Sequence, residues 1–250
     1  MKRTVPILAT AVPLLVLTSG CGLFSTAVVD LMVVSVSVSP AVGQGPFTAS
    51  VEVSPHTDDS RLQCYVTQSG QAVTLGTPVY DQAVVAAGSL TTVSFDFTPA
   101  QGGLQEVVCA DAPGDKSAVT ERNLDQVRSN EFSVPYEATG VRSDYASDGT
   151  TFCDVPTTVT LTLLPGGKAQ MVSNGPGVND HINCTQASGG AAVSWIADGT
   201  VASPGAAATF TSCNEGRFQG TGQVAYSDGL VKGSVTCSKD GTTWVTVKLG

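Results

Sequence analysis

Thr157-Thr158-Val159-Thr160-Leu161-Thr162-Leu163-Leu164 alternates polar and apolar residues, and Pro165-Gly166-Gly167 then turns the chain into Lys168–Ser173. A period of two places Val159, Leu161 and Leu163 on one face and Thr158, Thr160 and Thr162 on the other, which is the pattern of a half-buried strand. Proline and glycine punctuation makes the pair a hairpin. Downstream the same reading predicts strands at His181–Thr185, Ala191–Ala197, Ala206–Ser212, Arg217–Tyr226, Leu230–Cys237 and Thr243–Leu249. Ser227-Asp228-Gly229 and Lys239-Asp240-Gly241 join strands, because Asp-Gly tolerates the positive φ of tight hairpin turns. Gly220 and Gly222 inside one strand point to a sharp bend or close backbone packing. Such a meander closes into a barrel or a clam-like sandwich.

Upstream the alternation continues. Val34, Val36 and Val38 face one way, as do Ala49, Val51 and Val53, and Val93, Phe95 and Phe97. Arg61–Thr67, Leu104–Asp111 and Asn130–Val134 complete a set of short strands separated by Gly43-Gln44-Gly45-Pro46, Ser69-Gly70, Pro99 and Gly102-Gly103. That spacing predicts two packed antiparallel sheets. The chain is therefore all-β: a sandwich over 31–138, a polar linker over 139–150 and the meander over 151–250.

Composition narrows the function. The 250 residues carry 12 Lys+Arg against 21 Asp+Glu, so no basic surplus exists to neutralise phosphates and nucleic-acid partners are excluded. Two histidines leave little room for histidine-dependent chemistry.

Residues 1–20 are an address. Lys2 and Arg3 precede an apolar run from Val5 to Leu17, shorter than the roughly 20 residues of a membrane span. The run ends in Leu17-Thr18-Ser19-Gly20-Cys21. This resembles the lipobox of bacterial lipoproteins, with Thr18 standing where an aliphatic residue is usual. The resemblance implies cleavage before Cys21, acylation of its sulfur, and a lipidated tether over 21–30. Loss of Lys2 and Arg3 takes the formal charge from −9 to −11. A body so acidic is repelled by anionic headgroups and stands off the membrane on its lipid.

Three stretches of the first half carry a second resemblance: Ser39-Pro40-Ala41-Val42-Gly43, the run Ala87-Gly88-Ser89-Leu90 through Thr98-Pro99, and Glu121-Arg122-Asn123 leading to Asn130-Glu131-Phe132. Together they resemble the bacterial cell-adhesion-related (CARDB-type) modules of the fibronectin-III/immunoglobulin-like class. The resemblance implies a sandwich with a display or binding role. It also puts Cys64 on the third strand and Cys109 on the sixth, neighbours in one sheet. The second half is loosely similar to small lipocalin-like barrels.

With Cys21 assigned to lipid, six cysteines remain: Cys64, Cys109, Cys153, Cys184, Cys213 and Cys237. An even number without a CxxC pair, in an exported chain, reads as disulfides. If the halves fold separately, Cys64 must pair with Cys109, and three connectivities remain for the other four. The preferred one joins Cys153 to Cys184 across the first hairpin and Cys213 to Cys237 at the same end of two strands separated by one other.

Candidate chemistry is sparse. His56 with Asp58 and Asp59, and His181 beside Asp180, read as solvated turns, and they lie in different halves. No GxSxG elbow is present. Glu52, Asp96, Glu106 and Asp111 are isolated carboxylates. Asp144, Ser147, Asp148 and Gly149 form an oxygen-rich stretch without a DxDxDG register, so no metal site is assigned. Trp195, Tyr226 and Trp244 are the candidate ligand-binding residues, as an aromatic platform. The expectation is a non-enzymatic, lipid-anchored module of the cell envelope without a cofactor. Its partners are the membrane through the lipid, and an envelope protein or glycan. The alternative is a small-ligand carrier using a barrel cavity in the second half.

Overall fold

Alternating strands become two facing sheets in the first half and one closed sheet in the second. The computed structural model describes residues 31–55, 61–71, 77–84, 89–111, 126–186, 191–227 and 229–250. The leader, the tether with Cys21, and His56 with Asp58 and Asp59 lie outside the described residues.

The first half contains β1 (Leu31–Ser39), β2 (Phe47–Pro55), β3 (Arg61–Gln68), β4 (Tyr80–Ala83), β5 (Thr91–Phe97), β6 (Gly103–Asp111), β7 (Val127–Arg128) and β8 (Phe132–Val134). One sheet runs β1-β2-β5 and the other β4-β3-β6-β7, with β8 also on β6. Their inner faces share one core in which Phe47, Val51 and Val53 meet Leu62, Val107 and Phe132. Phe47 lies 4.7 Å from Phe132, ring centre to ring centre. The pleat of β1 departs from simple alternation. Its register slips between Val33 and Ser35, so Val33 joins Val36 and Val38 in the core and Val34 faces solvent. A bulge of this kind reverses the facing of everything before it.

The second half contains β9 (Tyr136–Tyr145), β10 (Phe152–Leu164), β11 (Lys168–Pro176), β12 (Val178–Asp180), β13 (Thr185–Gln186), β14 (Ala192–Val201), β15 (Ala208–Cys213), β16 (Phe218–Ser227), β17 (Leu230–Lys239) and β18 (Thr242–Leu249). Eight of these close in the order β10-β11-β14-β15-β16-β17-β18-β9, and β12 and β13 form a small ribbon outside. Of the two closures open to the meander, the barrel is the one formed. An eight-stranded barrel has an interior just wide enough for side chains. Here Leu161, Met171, Phe210, Val224, Val235 and Val247 fill it. Close backbone packing explains the glycine signal: a Cβ on Gly222 (φ +149°) would lie 2.0 Å from the Ser234 carbonyl oxygen, and one on Gly220 2.8 Å from the Ser212 backbone nitrogen.

Two expectations need correction. Residues 139–150 are not a linker. β9 runs to Tyr145, paired with β10 on one side and β18 on the other, and only the residues after it turn. The polar side chains that suggest a linker are used inside the sheet: Ser143 donates to Asp154 at 2.6 Å, and Asp144 accepts from Arg142. The passage from sandwich to barrel falls at Pro135, between β8 and β9. Likewise, His181–Cys184 is a turn and not a strand. The Asp180 carboxylate accepts from the backbone amides of Ile182 and Asn183 and from Asn183 Nδ2. Such a local bond offers the backbone an alternative to a ladder.

All six cysteines are paired as Cys64–Cys109, Cys153–Cys184 and Cys213–Cys237. Cys64 and Cys109 are direct partners on β3 and β6, with Cα atoms 4.1 Å apart, so the bridge is cross-strand within one sheet. Cys213 and Cys237 straddle β16, where Gly220 is register partner to Cys237 and has no side chain to obstruct the bridge.

Candidate functional site

Where the barrel meets the sandwich, turns from both halves leave a groove. Leu104 of β6 and Tyr136 of β9 pack against the barrel core and join the two bodies. Gly102 and Gly103 make that approach feasible. A Cβ on Gly102 would come within 2.7 Å of the Tyr136 ring, and one on Gly103 (φ +121°) within 2.8 Å of Tyr136 Oη and Gln68 Oε1. Beside this contact lies a cavity of about 590 Å³, floored by Leu104, Tyr136, Leu163 and Tyr226 and rimmed by Ser69, Glu131 and Lys168. A second cavity of about 440 Å³ adjoins it under the sandwich, lined by Val66, Val79, Pro99 and Gln105. Gln68, Gln71 and Gln101 belong to both cavities, so the two form one groove.

The groove is close to neutral. Lys168 and Glu131 are the ionisable cation and carboxylate on its walls, and the Ser69 hydroxyl donates to the latter. Tyr226 stacks at 5.4 Å on Tyr136, and burial pushes its hydroxyl above the ordinary tyrosine range, opposed in part by the nearby Gly205 backbone. Gln105 Oε1, on a residue 2% exposed, has no hydrogen-bond partner, and Tyr226 Oη, on a residue 9% exposed, is met by the Gly205 backbone. Gln105 Nε2 is spent on the Gln101 carbonyl at 2.5 Å.

The structure separates the three candidate ligand-binding residues. Trp195 and Trp244 come together at the opposite, distal end of the barrel, bridged by Phe218. Ring centres lie 5.0 and 5.8 Å apart at interplanar angles of 64° and 62°. Edge-to-face rings do not make a flat platform. Tyr226 is at the groove. Arg142, with no exposed surface, is held inside the barrel by both Asp144 oxygens at 2.8 Å and by the carbonyls of Val193 and Pro176. Asp144 is thereby occupied. Asp148, expected beside it, turns to the amides of Thr150 and Thr151 and to the Thr151 hydroxyl, which lower its pKa to about 2. Among the described residues no three His, Cys, Asp or Glu side chains converge. Three of the four isolated carboxylates have local partners: Ser35 for Glu52, Thr48 for Asp96 and Arg128 for Glu106.

Sequence reasoning missed the groove. Its glutamines lie at strand ends and beside turns, where no periodicity marks them, and its walls come from segments more than 100 residues apart. Comparisons with family models, with curated proteins and with solved structures return no match for this chain. Its function must be argued from its own residues.

Proposed function

We propose that this chain is an exported, lipid-anchored protein of the bacterial cell envelope that binds and does not catalyse, and that the groove between sandwich and barrel is its recognition site. The observation that carries the reading is the cysteine pattern. Six cysteines are bridged, and the seventh ends a charged and apolar leader at the position of a lipobox. Disulfides of this number belong to an oxidising compartment. The two facing sheets, of three and five strands, support the reading of 31–135 as a fibronectin-III/immunoglobulin-like display module. The side-chain-filled barrel weighs against the carrier alternative, and the groove, with its neutral amides and a single carboxylate already bonded to Ser69, offers surface for recognition. Mass spectrometry of the protein from bacterial membranes is expected to find acylated Cys21 as the first residue and the three bridges intact. An uncleaved leader with free thiols overturns the proposal.

A further inference from the structure

The groove itself narrows the ligand, and the inference rests on the reading of the chain as a binding protein. We infer that the groove takes a neutral oligosaccharide, several pyranose rings long, with one apolar sugar face against Tyr136 and Tyr226 and its hydroxyls toward Gln68, Gln71 and Gln101. Four features carry this. First, the two adjoining cavities, about 590 and 440 Å³, each fall within the roughly 300–1,000 Å³ of ligand sites, and their continuity suits an extended molecule. Second, the wall they share is built of primary amides, which donate and accept at once and so match hydroxyls, which do the same. Third, charge is nearly absent, with one cation and one carboxylate on the first cavity and none on the second, so an ionic ligand gains little. Fourth, Gln105 Oε1, a buried polar atom without a partner, sits on a residue of the second cavity, and Tyr226 Oη, met by the Gly205 backbone with acceptor and donor capacity left over, on one of the first. Native structures leave few such atoms unpaired, and a ligand rich in O–H groups supplies donors to both.

An extended peptide fits less well. Peptides laid along sheets use the unpaired amides of an edge strand. The groove is instead walled by strand ends and turns: Gln68 closing β3, Gly102 before β6, Gly166-Gly167 between β10 and β11, and Ala202–Gly205 between β14 and β15.

Titration calorimetry on the detergent-solubilised full chain tests this with hexamers of β-1,4-glucose, α-1,4-glucose and N-acetylglucosamine. Hexagalacturonate, a glucosamine hexamer and a neutral hexapeptide are the contrasting probes. At least one neutral sugar is expected to bind more tightly than all three contrasting probes. Q68A/Q101A, two substitutions on the shared wall, is expected to weaken it about tenfold or more, and Tyr226→Phe by a similar factor, in line with one lost hydrogen bond each. Trp244→Ala, at the far end of the barrel, is expected to leave affinity unchanged. Tyr226→Phe keeps the ring, so its fold is checked by an unchanged melting temperature. Binding by the charged probes or the peptide alone, or by none of the six, overturns the inference, as does loss of affinity in Trp244→Ala with Q68A/Q101A unaffected. Any of these results with acylated Cys21 and three bridges removes only the glycan assignment. An unmodified Cys21 with free thiols removes the exported-protein reading, whatever the sugars do.

Discussion

The sandwich and the barrel are built from the same valine, threonine and glycine vocabulary, yet they solve opposite problems. The sandwich keeps edges. β1, β5 and β4 each pair on one side only, and the outward faces of β1 and β5 carry Ser35, Ser37, Thr92, Ser94 and Asp96. Polar, short edges discourage pairing with other chains. Its bridge lies in the middle of the core, joining two fully buried cysteines that already face each other. The barrel has no edge, and its two bridges gather toward the distal end, where the Arg142–Asp144 pair is buried. A closed sheet needs nothing to protect its rim, but its interior must be filled, and the ends are where filling fails. The groove arises at the other end, where the barrel is stopped by the sandwich and not by its own side chains.

The contrast can be attacked most directly at Arg142. Replacing Arg142 with Met strands Asp144 and two carbonyls, and the barrel is expected to lose about 3–5 kcal/mol, as when one partner of a buried ion pair is removed. Arg142→Met with Asp144→Leu is expected to recover much of that. Both tryptophans, Trp195 and Trp244, are in the barrel, so their fluorescence in a urea titration follows it alone. A single-variant loss below about 1 kcal/mol contradicts a buried, structurally required ion pair.

Next comes the sandwich bridge. Cys64→Ala with Cys109→Ala opens a 45-residue separation and is expected to cost about 2–4 kcal/mol. The loss should appear in far-ultraviolet dichroism at lower urea than the tryptophan transition. Coincident transitions would mean that the halves unfold as one unit. Smaller again, Gly103→Ala forces a side chain into a positive-φ position against Tyr136 and is expected to cost about 1–3 kcal/mol. Its diagnostic signature is a loss of cooperativity between the halves, read as a broader calorimetric transition.

The smallest effects are those of pH. Asp81 in the sandwich, bonded to Arg61, and Asp148 and Asp180 in barrel turns all have lowered pKa values. A depressed carboxyl contributes stability above its unfolded pKa, and that contribution is lost as pH falls through the folded value. The ordinary value is 3.8 and that of Asp148 about 2, so its share disappears between them. Asp148→Asn is expected to flatten the acid limb of barrel stability in that window while leaving the sandwich limb unchanged. Tyr80 and Tyr226 act in the opposite sense, their pKa raised by burial. Their stability is present below pH 10 and is lost as pH rises through the folded values. Tyr226→Phe should remove the barrel's part of that alkaline loss.

Much of this architecture is legible in the residues. Thr157–Leu164 marks its core face by alternation, and Val159, Leu161 and Leu163 are all buried. Asp240 and Gly241 both take positive φ, as the hairpin signal requires. The bridges Cys153–Cys184 and Cys213–Cys237 are the preferred set of the three connectivities that the sequence leaves open. Elsewhere, local chemistry misleads. Ser143 and Asp144 look like linker residues because polarity is their only local signal, whereas their partners, Asp154 and Arg142, sit within the barrel wall and interior. Aromatic residues likewise announce themselves without giving their positions, so Tyr226 was grouped with Trp195 and Trp244 although the barrel holds them at opposite ends.

The sequence by itself determined the all-β class and the inward and outward faces of most strands, because each depends on a period of two and on short connections; it left the pairing of Cys153, Cys184, Cys213 and Cys237 open among three connectivities. Closure of the meander through β9, burial of Arg142 and the glutamine groove were decided only in three dimensions. Each depends on which distant segments come to lie side by side, and alternation along one strand carries no record of its neighbours.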